Sequence, residues 1–72
     1  MTDSVNRISV LRKQRGWHRT VIAAEFNIGE RTVQRWEAGE TPVPSTVIPA
    51  LAALLDVTPE YLMGWDREEA KA

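Results

Sequence analysis

Cysteine is absent from this chain, which excludes a disulfide framework and a thiolate metal site and fits a reducing compartment. Histidine occurs once, as His18, with no second ligand in any metal-binding spacing, so no metal is expected and the residue reads as a helix cap or surface group. No apolar run is long enough to span a bilayer, and no charged-then-apolar leader opens the sequence. A soluble, cytoplasmic protein with no membrane partner is the expectation. Catalytic parts are missing too: no nucleophile has a base in a usable pattern, no glycine-rich loop cradles a phosphate, and no carboxylates cluster. Neither enzyme activity nor a cofactor is expected.

An excess of charge of either sign is also lacking, since the formal net charge is -1. The distribution is less even than the sum. From Val5 to Trp36 the basic residues are Arg7, Arg12, Lys13, Arg15, Arg19, Arg31 and Arg35, against Glu25 and Glu30. From Glu37 onward the balance reverses, with Glu37, Glu40, Asp56, Glu60, Asp66, Glu68 and Glu69 against Arg67 and Lys71. A chain with one basic half can engage phosphate through that half whatever its total charge.

Helical periodicity runs throughout and no strand pattern occurs, so the 72 residues are expected to form one all-α domain of five helices. The ordered core is expected at about 4–65, with a polar tail over 66–72. The first helix is placed at Ser4 to Arg15, with Ser4 as N-cap, Val5, Ile8 and Leu11 facing inward, and Gly16 as the stop. A second helix starts near His18 or Arg19 and ends at Phe26, poorly capped because His18 stands where Ser or Thr would serve. A third spans Glu30 to Ala38, ended by Gly39. After the prolines of Glu40 to Pro44, a fourth helix follows a Ser45 or Thr46 cap and buries Ile48, Leu51, Ala52, Leu54 and Leu55. Asp56 marks its break. Thr58-Pro59-Glu60 begins the fifth helix with a cap, a first-position proline and an acid on the dipole. Tyr61 and Leu62 are expected to pack inward before Gly64.

The stretch from His18 to Gly39 carries the functional signal. Ala23 is small where a second helix must cross closely, and Asn27 tolerates the left-handed conformation of a tight turn. Val33 and Trp36, with Ile28, supply the apolar side of the following helix. Glu30, Arg31, Gln34, Arg35 and Ala38 fall on its other side. That is a helix-turn-helix pattern whose outward residues can read base edges in a major groove. Arg31 and Arg35 are four residues apart, a like-charge spacing that costs a few tenths of a kcal/mol and so favours a functional reason for the pair. Trp17 and Trp36 read as core residues, whereas Trp65 lies beyond the last helix stop and either covers the core edge or joins a partner, the partner being the preferred reading.

From Arg7 to Gly64 the chain resembles the DNA-binding domain of the lambdoid phage repressor and Cro family, also called Xre-type regulators. The likeness rests on the Ile8/Leu11 spacing, Arg15-Gly16-Trp17, the Ala23-to-Trp36 block, Trp36-Glu37-Ala38-Gly39 and Thr58 to Gly64 in their order and distance. The resemblance implies a transcriptional regulator that binds a palindromic double-stranded operator as a homodimer, in the manner of Cro or a minimal repressor. It implies base reading by Glu30, Arg31, Gln34 and Arg35, and backbone contacts by Arg19, Thr32, Ala38 and Thr41. Arg12 and Glu37 match a pair that in some members bridges the first and third helices, supporting the site together with Ala23, Asn27, Val33 and Trp36. Dimer contacts are implied at Val47, Pro49, Pro59, Tyr61 and Trp65.

Two positions depart from the family pattern. Glu30 is an acid at the leading base-facing position, where Gln or Arg is common; it can accept from a cytosine amino group or repel wrong sites. The loop after Gly39 carries Glu40 and no basic residue, which predicts weak non-specific affinity and a shallow salt dependence. The acidic second half and Trp65 also fit a different function, a protein-interaction module on the same fold such as an antirepressor or antitoxin subunit.

Overall fold

A computed structural model of the chain describes residues 6–65. They form five helices, α1 (Ile8–Gln14), α2 (Arg19–Phe26), α3 (Glu30–Ala38), α4 (Val47–Leu54) and α5 (Pro59–Met63), and no strand occurs among the described residues. The fold is all-α, as expected. α2 packs on α3, α1 on α3, and α4 on α5. Ile8, Leu11, Ile22, Ala23, Val33, Trp36, Ile48, Leu51, Ala52, Leu55 and Leu62 meet in one core, with Val43 reaching it from the loop between Pro42 and Pro44. Trp17 and Phe26 cover its edge, and Leu54, expected inside, is only half-buried.

The turns follow from residues that accept positive φ. Gly16 ends α1 with φ +73°, and a Cβ there would meet open space, so conformation rather than room requires the glycine. Trp17 N–H then returns to the Arg12 carbonyl at 3.1 Å. Asn27 at φ 56° and Asp56 at φ 61° make the corresponding turns after α2 and α4 without glycine. Thr58 caps α5, its Oγ1 accepting from Tyr61 N–H at 3.1 Å, with Pro59 next in line.

Three local expectations are corrected. α1 begins at Ile8, not Ser4, because Asn6 and Arg7 are bent and Asn6 Oδ1 accepts the Ile8 N–H at 3.1 Å. Ser4 and Val5, and the tail over 66–72, lie outside the described residues. Neither Ser45 nor Thr46 caps α4 through its side chain. The Pro44 carbonyl instead accepts Val47 N–H and Ile48 N–H, at 2.9 and 3.1 Å. Tyr61 does not pack inward. α5 is so short that only Leu62 is buried in it, and Tyr61 stays 41% exposed.

Candidate nucleic-acid interface

α3 divides cleanly between an inward and an outward side. Val33 and Trp36 are buried, which fixes the rotation of the helix, and Glu30, Arg31, Gln34, Arg35 and Ala38 are exposed as a result. The N-cap is Gly29, which has no side chain to bond the first N–H groups, while Glu30 places a negative charge in the first turn and Arg35 a positive one in the last. Both charges suit the helix dipole. Glu30 therefore has a structural reason to be where it is, independent of any base.

The turn into α3 is tight. Asn27 is left-handed, Ile28 N–H donates to the Ala23 carbonyl at 2.9 Å, and the buried Ala23 lets α2 and α3 approach. α2 starts at Arg19 after an uncapped His18, with no acid in its first turn.

Behind α3, one carboxylate gathers two arginines. The Glu37 side chain is 5% exposed; its Oε2 accepts from Arg12 Nε at 2.7 Å and its Oε1 from Arg19 Nε at 3.0 Å. Arg12 is itself buried and also donates through Nη1 to the Trp17 carbonyl at 2.8 Å. Its charge is thus compensated on the acid, and each of its three nitrogens has an acceptor, as burial requires. Among the described residues no buried side-chain nitrogen or oxygen lacks a partner. α1, the start of α2 and α3 therefore meet at a single anion.

The remaining arginines separate into two groups. Arg15 donates to the Leu55 carbonyl at 3.0 Å and lies 5.2 Å from the Trp17 ring centre. Arg7 donates to the Tyr61 carbonyl at 2.6 Å and covers the Tyr61 ring at 4.0 Å. Arg31 and Arg35 have no ion pair or hydrogen bond among the described residues, and both are exposed. Among the described residues, Arg7, Arg12, Arg15 and Arg19 are held by protein groups and the pair on α3 is left to solvent.

The other expected contact residues lie at varied depths. Thr32 is half-buried in the first turn of α3, and Thr41 is half-buried in the loop after it. Arg19, expected at a phosphate, is 40% exposed but tied to Glu37 through Nε, a pairing across eighteen positions that no local pattern signals. Of the residues assigned to a dimer surface, Val47 and Pro59 are half-buried, with Val47 against the core, while Pro49, Tyr61 and Trp65 are exposed. Asn6, not singled out in the sequence, is 5% exposed and donates from Nδ2 to the Trp36 carbonyl at 2.9 Å. No sequence signal marks it, because its partner lies on another helix.

A helix-turn-helix family model matches residues 8–62, from the first residue of α1 to the buried Leu62 of α5. The chain belongs to this family, the Cro and phage-repressor type of helix-turn-helix. It is a family of DNA-binding regulatory domains, and α2, the turn at Asn27 and α3 lie within the matched residues. Comparison with curated proteins and with solved structures gives no match. No helix among the described residues is long and apolar enough to cross a membrane.

Proposed function

We propose that this helix-turn-helix protein is a cytoplasmic transcriptional repressor that binds a palindromic operator as a homodimer, with α3 in the major groove. The observation that carries the reading is the exposed pair Arg31 and Arg35, unpartnered among the described residues beside Gln34 on a helix whose rotation the core fixes. A guanidinium without a protein partner is available for a bidentate contact to guanine, worth about 1 to 3 kcal/mol of base discrimination. Glu30 accepts from a cytosine amino group at the leading position. Arg19 keeps Nε on Glu37 and offers its terminal NH2 groups to a phosphate at the uncapped start of α2, with Thr32, Ala38 and Thr41 flanking the backbone.

Two copies meet through Val47, Pro49, Pro59, Tyr61 and Trp65, which sets the two α3 helices about 34 Å apart on successive turns of one groove face. Selection of bound duplexes from a random library, followed by titration at two salt concentrations, tests this. A recovered palindrome whose enriched bases change in Arg31→Ala and Arg35→Ala supports it; folded protein that enriches nothing at low salt refutes it.

A second reading is favoured by one observation, the exposure of Tyr61 at 41% and Trp65 at 50% near the end of α5. In that reading the fold presents this aromatic surface to another protein. Binding to such a partner should persist in the Arg31→Ala, Arg35→Ala double variant and respond little to salt.

A further inference from the structure

Asn6 and Arg7 precede the first helix, yet between them they touch both ends of the molecule's second half. Asn6 is buried and makes two bonds: Oδ1 accepts the Ile8 N–H at 3.1 Å, and Nδ2 donates to the Trp36 carbonyl at 2.9 Å. That carbonyl lies in the last turn of α3 and also accepts the Gly39 N–H at 3.1 Å. Arg7 faces the other way. Its N–H donates to the Leu62 carbonyl at 2.8 Å, and Nη1 donates to the Tyr61 carbonyl at 2.6 Å while the guanidinium covers the Tyr61 ring. Two adjacent residues thus hold the end of α3 and the last turn of α5.

The packing beside this bracket makes it matter. Between the end of α3, the following loop and α5 there is a cleft of about 170 Å³, lined by Asn6, Trp36, Thr41, Val43 and Met63. Apolar contact does not close this gap, so on this flank the last turn of α3 is tied down by the Asn6 bond to Trp36, whose ring is buried in the core. The Arg12–Glu37 pair fixes the same turn on its other flank.

We infer that Asn6 and Arg7 are positioning residues that couple the end of the DNA-reading helix to α5, so that a disturbance at Tyr61 alters how well α3 fits its bases. The inference rests on the proposed DNA reading for its affinity readout, but not for its readout in the free protein. Asn6→Ser keeps a short oxygen for the Ile8 N–H and cannot reach the Trp36 carbonyl. Arg7→Gln removes the guanidinium contacts to Tyr61 and leaves Asn6 in place, at a half-buried position where the fold should tolerate it.

In the full chain at a temperature where both variants are folded, amide exchange at Gly39 and Glu40 should accelerate in Asn6→Ser by about tenfold, the loss of one buried hydrogen bond. The Trp36–Glu40 amide resonances should also move in Arg7→Gln, although Arg7 touches none of those residues. Affinity for the selected duplex should fall about five- to tenfold in Asn6→Ser, while affinity for random duplex stays within about twofold. The coupling is overturned if Arg7→Gln leaves the Trp36–Glu40 resonances in place. It is equally overturned if Asn6→Ser lowers the melting temperature while Gly39 and Glu40 exchange no faster than the rest of the core. If the wild-type protein prefers no sequence, the DNA reading fails and the exchange and resonance measurements alone decide the coupling.

Discussion

Arg12 and Arg35 both come from the basic half of the chain, but the fold treats them in opposite ways. Arg12 is buried, held on Glu37 at 2.7 Å and on the Trp17 carbonyl, and shares its acid with Arg19. Arg35 is one turn into solvent on the outer side of α3, four residues from Arg31, with no acid for either among the described residues. The guanidinium is the same; the environment decides its use. Behind α3, charge is paired so that three helices can be fixed at one point. In front of it, charge is left uncompensated at the cost of a small repulsion, which is what an anionic partner can relieve.

Removing the shared acid breaks the comparison most severely. Glu37→Ala leaves Arg12 buried without its counter-charge, and destabilisation of about 3 kcal/mol is expected, read as the shift in a urea or thermal unfolding midpoint. A midpoint that hardly moves would mean that Arg12 finds water and that the buried group is not what fixes α3. On the outer side the order is reversed. Arg35→Ala should leave the unfolding midpoint within about 0.5 kcal/mol of wild type and lower affinity for the selected duplex by about 1 to 3 kcal/mol. Equal losses for matched and unmatched bases would reduce Arg35 to a phosphate contact.

Arg19 stands between the two groups and should show an intermediate effect. Arg19→Ala is expected to weaken binding to all sequences alike and to reduce the salt slope by about one, with a stability loss below about 1 kcal/mol because the side chain is 40% exposed. An unchanged slope would place Arg19 wholly with the structural group. The smallest effect is expected at the start of α3. Gly29 has extended backbone, and a Cβ there meets nothing within 4 Å, so Gly29→Ser should add the missing cap and raise stability by a few tenths of a kcal/mol. Thermal melting at matched concentration checks it.

α3 was legible in the sequence because its signals are local: Val33 and Trp36 set the buried side, Gly39 the stop, and Asn27 the turn before it. The start of α1 was not legible, because Asn6 caps it with a side chain whose other bond goes to Trp36, thirty positions away. Tyr61 was misplaced because α5 is too short for a periodic pattern to separate inner from outer residues. Val43 belongs to the core yet lies between two prolines, where no helical or strand repeat reports burial. Arg12 and Glu37 match a pair implied by the family resemblance, whereas the second arginine on the same carboxylate, Arg19, lies eighteen positions away and is signalled by no local pattern.

The shared carboxylate also limits how the molecule can be divided. A synthetic peptide spanning only α2, the turn and α3 would carry Glu37 and Arg19 but neither Arg12 nor the Asn6 amide, and its Trp36 would lose the buried wall supplied by α1. Such a fragment should be largely unstructured in water, although it carries the whole outward row of α3. The smallest portable unit is therefore the whole bundle with the two residues ahead of α1. What can be exchanged between molecules is only the outward row of α3, where Arg31 and Arg35 make no contact that the scaffold depends on.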